Sequence, residues 1–181
     1  NSKRAIMSPE DVKGLKIRGY SQMQIKAWES VGCTLTSLSW SEVFTSLQQN
    51  LIDGQECATA SFYSAKFYEA QDYWSLTQHI YTNWLWYANK DFMAGLSAEH
   101  KAIVEKAAKA AIKLDRELVA AAEQEILDKL PGLGIEVHEV PLEARLSMGK
   151  TMNNAVKDQI IEKCGDDIYD MVMSEIKAER K

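Results

Sequence analysis

The side chain whose chemistry is simplest to name is Arg18. It closes the alternating run Leu15-Lys16-Ile17-Arg18 and stands directly before Gly19, so a strand would end there with a guanidinium at its carboxyl edge. A planar guanidinium fits a carboxylate through two parallel charge-assisted hydrogen bonds. The same position also suits a surface arginine whose stem lies along the strand end. Cys57 and His79 are a nucleophile and a base by type, but the sequence places no clear cation or helix amino terminus to lower the thiol pKa. The acids Asp166-Asp167 and Glu123 with Glu125 fall in helical stretches and read as solvated faces. There is no Walker-type loop, no GxGxxG and no HExxH. Cys33, Cys57 and Cys164 are far apart, with no CxxC or paired-histidine spacing, so neither a metal site nor a disulfide framework is expected. Cys33 and Cys164 read as small buried hydrophobes. No enzymatic activity and no cofactor are expected.

These residues need elements to place them. Ser8-Pro9-Glu10-Asp11 starts a helical turn, with a Ser cap, Pro at the first position and acids after it, and Gly14 ends it. After the Leu15–Arg18 strand, Gly19-Tyr20-Ser21 breaks the run. Gln22 to Val31 then fits an amphipathic helix with Met23, Ala27 and Val31 on one face. Thr34 to Trp40 reads as a second strand. Ser39 and Glu42 have capping-box spacing for a helix running to about Gln49. Leu51 to Glu56, with its Asp53-Gly54 turn, reads as a third strand. Phe62 to Glu69 reads as helix, and Tyr73 to Tyr81 and Leu85 to Asn89 as extended, with Trp84 and Trp86 on one face.

Ser97-Ala98-Glu99 caps a helix that the periodicity carries to about Leu130, roughly 34 residues or about 50 Å. Such a length exceeds one small sheet, so the helix should reach past the lobe, brace two lobes or mediate association. Pro131-Gly132 stops it, Ile135 to Val140 alternates as a further strand, and the chain is helical from Leu142 to a solvated tail at Ile176–Lys181. Alternating strands and helices predict an α/β fold with parallel pairing. The Ile135–Val140 and Leu85–Asn89 strands have no evident partner in the chain.

Bulk composition narrows the classes. Hydrophobic residues make up 46% and charged residues 26% of 181, as in a packed globular domain. A formal charge of −5 argues against a nucleic-acid surface, which needs clustered Lys and Arg. No apolar run approaches the ~20 residues of a spanning helix. Asn1 to Ile6 lack the apolar core of a signal peptide.

Three runs together carry a resemblance: Asp11-Val12-Lys13-Gly14-Leu15-Lys16-Ile17-Arg18, then Leu51-Ile52-Asp53-Gly54-Gln55-Glu56, then Leu76-Thr77-Gln78-His79. They resemble the substrate-binding proteins of tripartite ATP-independent periplasmic (TRAP) transporters, of the C4-dicarboxylate-binding (DctP) type, best from about Ser8 to Glu105. The resemblance implies a periplasmic-binding-protein-like α/β lobe over residues 1–96, a long bracing helix over 97–130, and a strand and helices over 131–181. It implies that the chain corresponds to a carboxyl-terminal portion lacking the amino-terminal lobe. It also makes Arg18 the carboxylate clamp and Trp40, in Trp40-Ser41-Glu42-Val43, a pocket wall where relatives most often carry Phe. Cys57 takes the place of the asparagine in the usual Asp-Gly-Gln-Glu-Asn-Pro, so a weak thiol donor replaces an amide. The implied ligand-contacting set is Arg18, Ser21, Trp40, Glu56, Cys57, Asn83 and Trp84, with His79 in a polar network behind it or as a satisfied structural histidine.

The function so implied is periplasmic capture of an organic-acid anion and its delivery to the TRAP membrane permease subunits. Contact with the membrane would be through that permease alone. The alternative is a scaffold or interaction module using the long helix, with no small-molecule ligand.

Overall fold

The computed structural model describes residues 1–81 and 85–179. The acids after Pro9 give a single 3₁₀ turn, Pro9–Val12. Asp11 Oδ2 closes that turn by accepting from the Ser8 hydroxyl and from the amides of Met7 and Ser8. Strand β1, Lys16–Gly19, follows, then helix α1, Gln22–Glu29, capped by the Ser21 side chain, which accepts from the Gln24 amide. Strand β2 is Thr34–Ser37 and helix α2 is Trp40–Gln48, its capping box formed by Ser39 and Glu42 as the spacing predicts. Helix α3, Thr59–Ser64, strand β3, Tyr73–Leu76, and helix α4, Lys90–Gly95, lead to α5, Ala98–Lys129. Ser97 caps α5 and Pro131 sits in the 3₁₀ turn that ends it. Strand β4 is Glu136–Glu139; α6, Leu142–Cys164, and α7, Asp166–Glu179, complete the described chain. Gly165, at φ 85°, separates the last two helices, and the solvated tail expected from Ile176 is exposed and helical as far as Glu179.

β1 and β2 pair in parallel, as do β3 and β4. The second pair supplies the partner that the Ile135–Val140 run lacked on sequence grounds, with Trp74 opposite Val137. Leu85–Asn89 belongs to no strand. Leu51–Glu56 is not a strand either. Asn50 takes a left-handed φ of 56°, Leu51 is exposed, and the segment touches the sheet through one bridge, Ile17 to Gly54. That single contact is nonetheless a junction. Asp53 and Gly54 both donate to the Lys16 carbonyl (2.7 and 3.2 Å), and Arg18 donates back to the Gly54 carbonyl (3.0 Å). The Asp53 carbonyl accepts from Ser2 (2.9 Å), and Asn1 exchanges two 2.9 Å bonds with Tyr73. One hydrogen-bonded ribbon therefore runs from β2 through β1, Asp53-Gly54 and Asn1-Ser2 to β3 and β4. Gly54 is required at the crossing, since a Cβ there would lie 2.7 Å from the Asn1 Cβ.

Three further boundaries differ from expectation. Lys66, at φ 55°, breaks the Phe62–Glu69 run into α3 and a 3₁₀ turn, Phe67–Glu69. β3 stops at Leu76 because Gln78 turns left-handed (φ 47°). Trp40 does not end a strand: the capping box at Ser39 makes it the first residue of α2.

Apolar residues fall into two clusters. One joins Val12, Leu15, Ile17, Trp28, Val31 and Cys33 to Val140, Ala144, Met148 and Met152, so α1 and α6 share it. The other joins Val43, Leu47, Ile52, Phe62, Phe67, Trp74, Leu130 and Ile135, so α2, α3 and the end of α5 share it. Helices thus flank the strands through two separate cores, the arrangement the alternation implied. Cys164 is only half-buried, contrary to expectation, because it sits at the last turn of α6 beside Gly165; the three cysteines are free.

Candidate ligand-binding site

All four strands are parallel within their pairs, so β1 and β2 end on one side with Gly19 opposite Ser37. Side chains leaving these carboxyl ends meet where open α/β sheets place ligands. Arg18 lies there and is 8% exposed. Its Nε donates to the Leu38 carbonyl (3.0 Å), which fixes the direction of the guanidinium. Its Cζ lies 5.2 Å from the centre of the Tyr20 ring and 5.6 Å from that of Trp40, both within cation–π range. Among the described residues no carboxylate pairs with Arg18. Its two terminal nitrogens have no protein partner there, yet neither is sealed from solvent. A nearly buried cation with an open bidentate edge is suited to an incoming anion.

Trp40 packs on Phe67, with ring centroids 5.0 Å apart, and keeps 43% of its surface exposed. It walls the Arg18 edge from the start of α2. Tyr20, 53% exposed, walls it from the start of α1. Burial foremost, then the Glu56 carboxylate, raises the Tyr20 phenol above its ordinary pKa, with Arg18 opposing them.

Behind this edge lies a fixed polar chain. The Tyr20 amide donates to Gln24 Oε1 (2.8 Å), so the Gln24 amide nitrogen faces Glu56 and donates to its Oε1. Glu56 Oε2 meets His79 Nε2 at 3.1 Å, and His79 Nδ1 meets the Thr77 hydroxyl at 2.7 Å. The Trp28 ring stands edge-on to His79 at 4.9 Å. Both Glu56 oxygens are therefore held, and the Glu56 and His79 side chains are only 13% and 17% exposed. His79 is a satisfied member of this network and its ring nitrogens are committed away from Cys57.

Cys57 packs against the second core, and burial, followed by the Glu56 charge, pushes its thiol up to about 12 despite Arg18. A thiol in that state is neither a nucleophile nor an anion at neutral pH. Ser21 is engaged as the cap of α1, with its Oγ 3.2 Å from the Gln24 amide. Asn83 and Trp84 lie outside the described residues. Tyr20, Gln24 and the Leu38 carbonyl were not singled out in the sequence. Ser21 to Gln24 has N-cap spacing, which could have drawn attention to Gln24.

A separate cleft of about 790 Å³ opens between α1, the segment after β3 and α6. Tyr20, Ser21, Gln24, His79, Arg145 and Met148 line it, whereas Arg18, Trp40, Glu56 and Cys57 do not. Each arginine gives one nitrogen to a protein oxygen, Arg18 Nε to Leu38 and Arg145 Nη1 to Gln78, and the Arg145 Nε is buried without a partner. Arg18 has the better claim to an anion because it is the more deeply buried cation and Arg145 is only half-buried.

Residues 1–163 match the profile of the bacterial extracellular solute-binding protein family 7, DctP. The chain is 35% identical over 163 residues to the 2,3-diketo-L-gulonate-binding periplasmic protein YiaO of Escherichia coli, covering 90% of this chain and 49% of that protein. It is 31% identical over 178 residues to the ectoine-binding periplasmic protein TeaA of Halomonas elongata, covering 96% of this chain and 52% of TeaA. Among solved structures, a TRAP periplasmic solute-binding protein from Ochrobactrum anthropi superposes with a TM-score of 0.88 at 28% identity, over 99% of this chain and 56% of that one. The apo form of TeaA superposes with a TM-score of 0.86 at 29% identity, over 98% of this chain and 59% of that one. The chain spans about half the length of the relatives it matches. In sequence and fold alike, it belongs to the DctP family of bacterial extracellular solute-binding proteins.

Proposed function

We propose that this chain carries the carboxylate-gripping part of a periplasmic solute-binding protein, which captures an organic-acid anion and hands it to a TRAP membrane permease. One observation carries the reading: Arg18 is nearly buried, is oriented by the Leu38 carbonyl and has no carboxylate partner among the described residues. An unpaired buried charge is costly, and an anionic ligand would relieve that cost. Relatives bearing the names of diketogulonate- and ectoine-binding periplasmic proteins support both the ligand class and the compartment. The chemistry asked of the chain is binding, so no catalytic group is needed. In this organisation residues 1–96 form the binding lobe, 131–181 dock onto it through β4 and α6, and α5 extends from it as the brace over 97–130. Ser21, Trp40, Glu56, Cys57, Asn83 and Trp84 complete the proposed contact set, with His79 behind Glu56.

A thermal-shift panel of carboxylates on the chain and on Arg18→Ala tests this. A bound acid at 100 times its dissociation constant stabilises by about 2.7 kcal/mol. The expected outcome is a raised midpoint with at least one acid class, absent in Arg18→Ala. A panel flat for both proteins would defeat the reading.

The scaffold reading has one observation in its favour: none of the 32 residues of α5 is buried, and Ile103, Leu114 and Leu118 are more than half exposed. Concentration-dependent association without any response to carboxylates would select it.

A further inference from the structure

Arg18 does not sit in an open charged patch; two aromatic rings flank its guanidinium, at 5.2 and 5.6 Å, from two different elements. Both are positioned independently of any ligand. Trp40 is braced by Phe67; the Tyr20 backbone is pinned by its amide to Gln24 Oε1, and its ring rests against the Arg18 guanidinium. Each leaves about half its surface uncovered beside the open edge of the fork. A carboxylate seated on that edge must carry its skeleton out past these rings. Flat or apolar-faced rings gain there by stacking, at low entropic cost.

The polar surroundings work against a second negative charge. Glu56 is a fixed acceptor, with each oxygen already taking a donor from Gln24 or His79. The same Glu56 charge is felt by Tyr20 and by Cys57, as is that of Arg18, so these four groups share one small region. Cys57 offers only a neutral thiol, a weak donor for a second carboxylate.

We infer that the Arg18 site selects monocarboxylates bearing a ring next to the carboxylate, and discriminates against linear dicarboxylates. The inference rests on the carboxylate-binding reading above and sharpens it to a substrate class.

The test is titration of the chain with benzoate, cyclohexanecarboxylate and succinate, followed by NMR or calorimetry, alongside Tyr20→Leu, Trp40→Phe and Arg18→Ala. Tyr20 is more than half exposed and Trp40→Phe keeps an aromatic against Phe67, so both variants retain the fold; their melting curves verify this. The expected result is benzoate binding about tenfold tighter than succinate, the scale of one aromatic contact. Tyr20→Leu should narrow that ratio, Trp40→Phe should preserve most of it, and Arg18→Ala should lose every acid. Succinate binding as tightly as benzoate, with both lost in Arg18→Ala, would overturn the selectivity and leave carboxylate binding intact. A ratio unchanged in Tyr20→Leu would also overturn it. Silence toward all three acids would overturn the inference, and only if the wider carboxylate panel were flat as well would it remove the binding reading.

Discussion

At the scale of single residues, burial decides what the ionisable groups can do. Cys33, inside the first core with its Sγ 3.2 Å from the Val12 carbonyl, and Cys57 are both pushed up to about 12 from an ordinary 9.0, chiefly by burial. Between those values the native chain keeps two protons that the unfolded chain releases. Stability contributed by these thiols is thus complete below pH 9 and falls as pH rises toward 12. Denaturant melts at pH 8 and pH 10.5 should show the lower midpoint at the higher pH, and Cys33→Ala/Cys57→Ala should flatten that difference. Equal slopes in the variant and the parent would reject the assignment. At the acid end Asp11 runs the other way. The Ser8 hydroxyl, then the Met7 amide, hold its carboxyl below the ordinary 3.8, so its contribution is present above that value and is lost as pH falls from there through the lowered native value. Arg18 shows what residue chemistry alone leaves open. A strand-end arginine reads equally as surface or clamp, and its burial together with an unpaired fork at the sheet edge is what favours the clamp.

At the scale of elements, the sheet depends on a crossing that no periodicity announces. Gly54 passes so close to Asn1 that an added Cβ would meet the Asn1 Cβ at 2.7 Å and its Cα at 3.1 Å. Overpacking of this kind typically costs about 1–3 kcal/mol, so Gly54→Ala should lower the unfolding free energy by that much. Gly132→Ala, with nothing within 4 Å of its Cβ, serves as the control and should be near neutral. Caps and periodic runs were legible in the sequence: Ser39 with Glu42 marked the start of α2, Ser97 that of α5, and Pro131 its end. Alternation located β1 and β4 correctly. Local signals failed where a single backbone angle interrupts a pattern, as at Asn50, Lys66 and Gln78, because a positive φ on a non-glycine residue is set by tertiary packing. The pairing of β3 with β4 was illegible for a different reason: about sixty residues separate them, and pattern carries no register across such a loop. In the site, residue type and strand-end position pointed to Arg18. The ring of Tyr20 beside it and the Gln24–Glu56–His79–Thr77 chain required three-dimensional proximity.

At the scale of the whole molecule, stability and reach are separated. The two cores hold the strands and their flanking helices together, and Leu130, fully buried, ties the end of α5 into the second of them beside Ile135. Nearer the carboxyl end, α5 is held by Ile126, Leu127 and the Thr59 hydroxyl, 3.0 Å from Glu123 Oε1. Toward its start the helix turns Ile103, Leu114 and Leu118 outward, each more than half exposed. Residues that touch little should matter little to folding, whatever their hydrophobicity, since surface substitutions usually stay within about 0.5 kcal/mol. Leu114→Lys/Leu118→Lys should therefore leave the unfolding midpoint nearly unchanged. Leu130→Ala, which opens a cavity in a packed core, should cost about 2–5 kcal/mol. Denaturant unfolding of the two variants at several protein concentrations checks both expectations at once. A large, concentration-dependent loss in the double lysine variant would mean that the outward face is already partnered by a second copy, and would move the balance from the brace toward the scaffold. A loss confined to Leu130→Ala would place the folding energy in the two cores and leave the exposed stretch of α5 outside it.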